Sequence, residues 1–290
     1  MKQEDSDADK VKKLTEYFKK RDDIVMAFLF GSRAGGQVRK KSDWDIGVYF
    51  QPVVEAIEWE ERSREYPAEL EVWNDCTRIL NTDDVDLIVL NRAPADISDT
   101  AIQGIPLVLK DQNLWRRFML IISREAEDYR QFVHEYYTIA QRSSSLSARD
   151  RSEFEKIVQF LDAELSRYDY FSKMTGGEYE NDVVKRNDVE RWVEKIVIAT
   201  IDIAKFTLSS QKKPIPDTYR ENLIRASLLF KLSEEFIIKF EGWVKLRNVL
   251  AHEYLDIKWK KISNFIQTSE PYFKSFIDAA KKFLEENKTS

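Results

Sequence analysis

The chain has 290 residues, about twice the length of a typical domain of about 150 residues, so we expect two domains. Eight glycines and seven prolines are few for this length, and the shortage excludes collagen-like, low-complexity and turn-dense all-β architectures. A net charge of −5 excludes a surface coated in Lys and Arg, so any binding of nucleic acid is confined to a local cleft.

The first 140 residues alternate helical and extended patterns. Apolar residues recur at helical spacing in residues 9–21 and, on both sides of Pro67, in residues 53–80. Apolar runs of strand length occupy residues 24–30, 44–50, 85–90 and 105–109. The last run is short and contains Pro106, which is typical of an edge strand. Strands with helices between them indicate a small α/β or α+β domain.

After residue 109 the strand pattern ends. Residues 111–139 have helical spacing, and residues 141–151 form a serine-rich stretch without apolar period, the best candidate linker. Further helices are predicted over residues 152–173, 179–210, 218–231, 233–254 and 258–286. The sequence therefore predicts a first domain over residues 1–140, a linker over 141–151, and an all-α bundle over 152–290.

Composition also bears on the cellular compartment. No window approaches the roughly 18 uninterrupted apolar residues of a membrane span, and residues 1–10 are too acidic and polar for a signal peptide. The single cysteine, Cys76, excludes an internal disulfide and fits a reducing compartment. We therefore expect a cytoplasmic protein that does not contact membranes, and with one Cys and two His we expect no zinc site.

The end of the first predicted strand and the two strands after it carry a candidate metal and phosphate site. Gly31 and Ser32 end the first strand, where a small residue lets backbone N–H groups and a hydroxyl approach an anion. Ten residues later, Asp43 and Asp45 alternate on a strand, so their carboxylates share one face, about 6–7 Å apart at Cα. Such carboxylates repel unless a cation lies between them, and Mg²⁺ prefers these ligands. Asp86 lies between apolar residues, so we expect it to be buried and to face the same metal or a proton donor.

This pattern resembles the nucleotidyltransferase superfamily of DNA polymerase beta and the minimal nucleotidyltransferases, whose signature is Gly-Ser, ten residues, Asp-x-Asp and a later acidic residue. The resemblance implies an α+β domain with a small mixed sheet flanked by helices. It implies that Gly31 and Ser32 hold the triphosphate, that Asp43 and Asp45 ligate Mg²⁺, and that Asp86 is the general base or a second metal ligand.

Basic residues near the signature are candidates for neutralising the phosphates. The resemblance points to Arg33, with Arg39 and Lys41 as further candidates. Asp83 and Asp84, beside the third strand, are interpreted as solvated turn residues.

The second informative segment is residues 245–254. On a helix, the side chains of Arg247, Asn248, His252 and Tyr254 share one arc of about 160°. These residues match the Arg-Asn-x-x-x-His-x-Tyr motif, and residues 152–287 resemble the HEPN superfamily, which includes metal-independent endoribonucleases. The resemblance implies that Arg247, Asn248 and His252 are catalytic; the other histidine, His134, is interpreted as a structural or surface residue.

The chemistry of RNA cleavage asks for more than one copy of this motif. Attack by the 2′-hydroxyl needs a base, an acid for the leaving oxygen and positive charge for the phosphorane. One chain offers Arg247 and His252 once. A two-fold homodimer that joins two motifs in a composite cleft is the simplest way to complete the site.

Proteins that resemble the two halves occur as separate chains of toxin–antitoxin pairs, in which the nucleotidyltransferase transfers AMP from ATP to the tyrosine of the toxin. The matching residue is Tyr254. We therefore interpret the chain as a fused toxin–antitoxin protein, an ATP- and Mg²⁺-dependent protein adenylyltransferase joined to the ribonuclease that it silences.

Two alternatives remain at this point. Aminoglycoside-modifying nucleotidyltransferases resemble the same plan, with a helical bundle that shapes the acceptor pocket, and they explain Asp43, Asp45 and Asp86 equally well. They give no reason for the four polar side chains of the motif in residues 247–254 to share one arc of a helix. In the second alternative, the helical half only binds RNA or dimerises.

Overall fold

The computed structural model describes residues 6–34, 42–52, 57–61, 64–142, 145–252 and 259–287. Contacts group the chain into two units, Met1–Asp128 and Tyr129–Ser290. Among the described residues, none of the helices combines the length and the apolar composition that crossing a membrane requires.

The first unit contains a mixed four-stranded sheet, as predicted. Its strands are β1 (Ile24–Phe30), β2 (Trp44–Phe50), β3 (Val85–Val89) and β4 (Ile105–Leu109). The spatial order is β3-β2-β1-β4, in which β2 and β3 are parallel and the other pairs are antiparallel. The predicted edge position of β4 is confirmed. This arrangement places the end of β1 and the starts of β2 and β3 beside one another, at the same end of the strands.

Helices cover both faces of this sheet. They are α1 (Asp7–Lys20), α2 (Gly31–Ala34), α3 (Glu69–Leu80), α4 (Ala95–Ile102) and α5 (Gln112–Arg142), the last of which continues into the second unit. All seven residues of β1 are buried. Ala27 and Leu29 pack in one apolar cluster with Phe18 of α1, whereas Phe28 packs in another with Phe118 of α5. A strand that is covered on both faces has no polar side, which explains its uninterrupted apolar sequence.

Two details of the first unit differ from the prediction. Residues 57–59 were predicted to be helical but are not, and residues 53–56 lie outside the described part of the chain. The helix α4 was not predicted, because it buries the small or polar residues Ala95, Ser98, Asp99 and Ala101, which leave no apolar period.

Among its described residues, the second unit contains helices and no strand, as predicted. In addition to residues 129–142 of α5, its helices are α6 (Ala148–Leu165), α7 (Tyr168–Phe171), α8 (Gly176–Asn181), α9 (Val183–Ser210), α10 (Tyr219–Leu229), α11 (Glu234–His252), α12 (Trp259–Thr268) and α13 (Glu270–Glu286). The long helix α9 lies at the centre and packs against α6, α10 and α11. Its residues 199–210 are buried with the exception of Asp202, which is half-buried.

The predicted helix over residues 258–286 is divided at Ser269. Pro271 follows at the start of α13, and a proline lacks the N–H that would continue the helix. The Ser269 hydroxyl is buried and lies 2.6 Å from the Tyr168 hydroxyl, so this joint is also fixed from α7. The chain therefore has two helices, α12 and α13, that pack on one core where a single helix was expected.

A buried carboxylate anchors residues 57–61 and 64–66 to the sheet of the first unit. Glu58 is 2 % exposed and accepts hydrogen bonds from the Tyr66 hydroxyl and the Asn91 side-chain amide, both at 3.2 Å, and from Arg64. The backbone N–H of Glu58 donates to the Tyr49 hydroxyl at 2.9 Å. Each of these polar groups is satisfied by the same small network.

We expect Glu58→Ala to lower the free energy of unfolding by about 2–3 kcal/mol, because it leaves buried donors without their acceptor. Urea unfolding measures the change, and Glu65→Ala, an exposed neighbour, is the matched control. Equal midpoints for the two variants would show that the network contributes nothing.

Candidate active sites

The predicted acidic residues of the first unit lie near one another, at the end of the sheet where β2 and β3 begin. In the parallel pair of β2 and β3, Asp45 lies directly opposite Asp86, and on the other side Asp45 lies opposite Phe30. Neighbouring strands are about 4.8 Å apart, so the Asp45 and Asp86 side chains project side by side. Asp43 precedes Asp45 by two residues. The side chains of the three predicted carboxylates thus belong to one small region.

The electrostatics of Asp45 reflect this crowding. Burial, then the charge of Asp86 and then that of Asp43 raise the pKa of Asp45, whereas Arg33 acts in the opposite direction. Hard carboxylate oxygens with repelling charges are the donor set that a divalent ion such as Mg²⁺ takes. In the described residues, no three His, Cys, Asp or Glu side chains are already drawn together in a metal-binding geometry. The types and register of these residues fit Mg²⁺, with Asp45 and Asp86 directly opposite each other on neighbouring strands.

One prediction about this site is wrong. Asp86 was expected to be buried between its apolar neighbours, but it is exposed. The reason is that β3 is an edge strand, so the apolar neighbours of Asp86 in the sequence do not enclose its side chain. Asp86 therefore faces solvent beside Asp45.

Gly31 lies against the Asp45 carboxylate. It has a φ of +68°, a conformation that side chains rarely adopt, and a Cβ built on it would lie 2.0 Å from Asp45 Oδ2. The first turn of α2 can pass Asp45 this closely only because residue 31 has no side chain. Ser32, the next residue, is exposed on α2.

We expect Gly31→Ala to reduce nucleotidyl transfer by at least about 100-fold, since a displacement of about 1 Å at a reacting centre has this effect. The left-handed backbone conformation also costs about 1 kcal/mol or more in an alanine. The rate of label transfer from ATP and the thermal midpoint measure the two effects separately. Gly177→Ala is the control, because nothing lies within 4 Å of a Cβ built there; equal rates for both variants would contradict the expectation.

Arg33 fixes the backbone that leads into Asp45. Its Nε donates to the carbonyl of Ser42 at 2.7 Å and to that of Asp43 at 3.2 Å, and its Nη1 lies 3.1 Å from Asp7 Oδ2. The guanidinium also lies 4.4 Å from the centroid of the Trp44 ring. These contacts give Arg33 a structural task that the sequence did not indicate, and its role toward phosphate stays a prediction. The other predicted phosphate contacts, Arg39 and Lys41, lie outside the described residues.

In the second unit, the motif residues lie at the end of α11. Arg247 and Asn248 are buried, at 6 % and 4 % exposure, and Arg247 Nη1 donates to Asn248 Oδ1 at 3.1 Å. The Arg247 guanidinium lies 5.4 Å from the centroid of the Tyr219 ring on α10. His252 is the last residue of α11, and its side chain and the whole of Tyr254 lie outside the described part.

A buried charge cluster near Arg247 was missed in the sequence. Lys205 of α9 is buried and forms salt bridges with Asp202, at 2.9 Å, and with Glu135 of α5. Burial opposes the charge on Lys205, but Asp202 and Glu135 outweigh it and raise the pKa of Lys205. The sequence pattern that could have indicated this cluster is the pair Asp202 and Lys205, an acidic and a basic residue three positions apart in an otherwise apolar stretch of helix.

The charge cluster lies in a cleft of about 450 Å³ within the second unit. His134 also lines this cleft and is exposed, in agreement with its interpretation as a surface residue. Burial raises the pKa of Asp202, and Lys205 and Arg247 oppose this effect. The charges of Lys205 and Arg247 thus both favour the ionised form of Asp202.

Comparisons with protein families show the class of each domain. Residues 12–113 match the family Polymerase beta, Nucleotidyltransferase, and residues 151–280 match the family Ribonuclease HepT-like. The protein therefore joins a polymerase beta-like nucleotidyltransferase domain to a HepT-like ribonuclease domain.

One similar solved structure is described as "Crystal structure of the toxin-antitoxin with AMP-PNP". The match has 21 % sequence identity, covers 46 % of this chain and 95 % of that chain, and has a TM-score of 0.33. A comparison with curated proteins finds no match.

Proposed function

We propose that the protein is a fused toxin–antitoxin protein, in which the first domain transfers AMP from ATP to Tyr254 of the HEPN domain and thereby stops RNA cleavage. The observation that carries the proposal is the presence of both families in one chain. A small-molecule nucleotidyltransferase needs no ribonuclease-type motif on its second domain.

In the proposed transfer, the Tyr254 oxygen attacks the α-phosphorus of ATP, a new P–O bond forms, and pyrophosphate leaves. Asp86, which is exposed beside Asp45, takes the proton of the tyrosine hydroxyl. Asp43 and Asp45 would hold Mg²⁺, which supplies charge neutralisation for the phosphates. Gly31 and Ser32 would hold the triphosphate on the opposite side of Asp45.

In the proposed ribonuclease, Arg247 stabilises the charge of the phosphorane and His252 transfers the protons. Asn248 accepts a hydrogen bond from Arg247 and so holds the guanidinium in one orientation. The reaction needs both a base and an acid, so we infer a homodimer in which two copies of the motif share the cleft. This chemistry uses no metal ion.

Modification of Tyr254 would act directly on this cleft. Tyr254 follows Arg247 by seven residues, and each AMP unit adds a negative charge and a bulky group. A phosphate attached there competes with RNA phosphate for Arg247. The proposal therefore links the two domains through one hydroxyl group.

The proposal is tested with labelled ATP and Mg²⁺, added to chains that a phosphodiesterase has first freed of bound AMP. Label is expected on Tyr254, located by peptide mass spectrometry, and is expected to disappear in Tyr254→Phe. The control is Tyr137→Phe, at an exposed tyrosine of α5. Labelling that is the same in Tyr254→Phe as in the wild type would contradict the proposal. Mixing Tyr254→Phe chains with Asp45→Asn chains shows whether one chain modifies another.

A further inference from the structure

We infer that residues 129–142 of α5 are a positioning element of the ribonuclease site, holding Arg247 in place through the ring of Tyr219. The inference rests on the proposed ribonuclease function. These residues precede the stretch 151–280 that matches the ribonuclease family, yet they belong to the same structural unit as Arg247. The ribonuclease site of this chain thus includes a helix that lies outside the family match.

The contacts that reach Arg247 run through aromatic rings. Arg247 lies over the ring of Tyr219, and Tyr219 is in turn held by two rings of α5. The ring of Phe132 meets that of Tyr219 edge-on at 5.3 Å and 89°, and the ring of Tyr129 does so at 5.8 Å and 78°. Edge-to-face contacts favour a definite ring orientation, so α5 fixes the surface on which the guanidinium rests.

Residues 129–136 of α5 also form hydrogen bonds with the loop before Tyr219. The Tyr129 hydroxyl donates to the carbonyl of Pro216, and the Tyr136 hydroxyl donates to that of Lys213 at 2.8 Å. Both acceptors lie in the stretch between α9 and α10 that leads to Tyr219. These bonds fix the position of the start of α10, and with it the Tyr219 backbone.

The helix α5 is also held by ionic contacts with α9. Glu135 of α5 pairs with Lys205, and Lys205 pairs with Asp202 at 2.9 Å. Signs alternate along this series, so each group is held by its neighbours. Without Glu135, α5 loses its ion pair with α9, and with it part of what holds the rings of Tyr129 and Phe132 against Tyr219.

A buried guanidinium that must meet a phosphorane needs such support. Arg247 is 6 % exposed, so only a small part of it is open to substrate. A misplacement of about 1 Å reduces a rate by about 100-fold, whereas binding of the rest of the RNA is unaffected. Loss of the α5 contacts should therefore lower kcat and leave KM unchanged.

The test uses the full chain freed of AMP, with the variants Phe132→Leu and Glu135→Gln and their combination. We expect kcat for RNA cleavage to fall about 10-fold for each single variant, with KM within about twofold of the wild type. Tyr137→Leu, at an exposed position of the same helix, is the matched control and should retain full kcat. Glu135→Asp, which restores the charge, should recover part of the loss.

A second readout does not depend on activity. Phenylglyoxal modifies accessible arginines, and peptide mass spectrometry reports the rate at Arg247 with Arg191, which is 62 % exposed, as internal reference. The rate at Arg247 is expected to rise in Phe132→Leu and Glu135→Gln and to stay unchanged in Tyr137→Leu.

Unchanged kcat together with unchanged Arg247 reactivity in the double variant overturns the inference. Equal losses in the control and the test variants also overturn it, since they indicate general loosening of the helix. If the wild-type chain freed of AMP cleaves no RNA, the proposed function fails, and the reactivity of Arg247 still decides whether α5 positions it.

Discussion

Asp45→Asn is expected to reduce nucleotidyl transfer at least about 1,000-fold. Asp45 lies opposite Asp86 in the sheet and against Gly31, at the centre of the candidate metal and triphosphate site. An amide replaces an anionic metal ligand with a neutral one, and a bound metal contributes several kcal/mol to such a reaction, with each 1.4 kcal/mol equal to a factor of ten. Transfer of label from ATP under single-turnover conditions measures the loss.

The same substitution is expected to leave the fold as stable as the wild type or more so. The pKa of Asp45 is raised in the folded chain, first by burial and then by Asp86 and Asp43. A carboxyl whose folded pKa lies above its unfolded value destabilises the fold once the pH rises through these values, because ionisation is easier in the unfolded chain. Removing the charge at neutral pH removes this penalty. Thermal unfolding without divalent metal checks the sign.

The control for Asp45→Asn is Asp83→Asn, at an exposed position just before β3. It makes the same chemical change near the same strands and should retain full transfer. Loss of transfer in Asp45→Asn together with a fall in the thermal midpoint would indicate misfolding and contradict the assignment of Asp45 to the metal site.

Arg247→Ala is expected to reduce RNA cleavage by the AMP-free chain about 100- to 1,000-fold, the loss typical when one charge-stabilising group is removed. Arg247→Lys should be nearly as poor. The guanidinium lies over the Tyr219 ring while it donates to Asn248 Oδ1, and a compact ammonium cannot do both. Cleavage of a labelled RNA by enzyme in excess gives the rate of the chemical step.

Arg191→Ala, at an exposed arginine of α9, is the control and should cleave RNA at the wild-type rate. A chelator separates the two activities of the chain, because the proposed transfer uses Mg²⁺ and the proposed cleavage does not. Full cleavage by Arg247→Ala would exclude the motif arginine from the chemistry. Loss of cleavage on chelation would show that a metal ion takes part in it.

Much of the fold was visible in the sequence because its two central strands are almost completely buried. The limits of β1 and β2 agree with the predicted runs 24–30 and 44–50, since both strands are central and almost uniformly apolar. Pro106 correctly indicated the edge position of β4. The helix α4 escaped prediction because its contact face contains small and polar side chains, which resemble a loop in composition.

The sites were only partly visible for a related reason. Spacing along the chain indicated Asp43 and Asp45, but the exposure of Asp86 depends on β3 being an edge strand, which no local pattern shows. Likewise, the contacts of Arg33 with backbone carbonyls depend on how the chain returns to β2. The contacts of Tyr129 and Phe132 with Tyr219, on which Arg247 lies, join helices that are distant in sequence. Pairwise contacts of this kind leave no periodic signal.

The proposed silencing of the second domain by modification of Tyr254 is tested by one titration. AMP-free chain is incubated with ATP and Mg²⁺, and at each time the modified fraction of Tyr254 and the rate of RNA cleavage are measured on the same sample. We expect the cleavage rate to fall in proportion to the unmodified fraction and to approach zero at full modification. A fully modified chain that still cleaves RNA at its initial rate would contradict it.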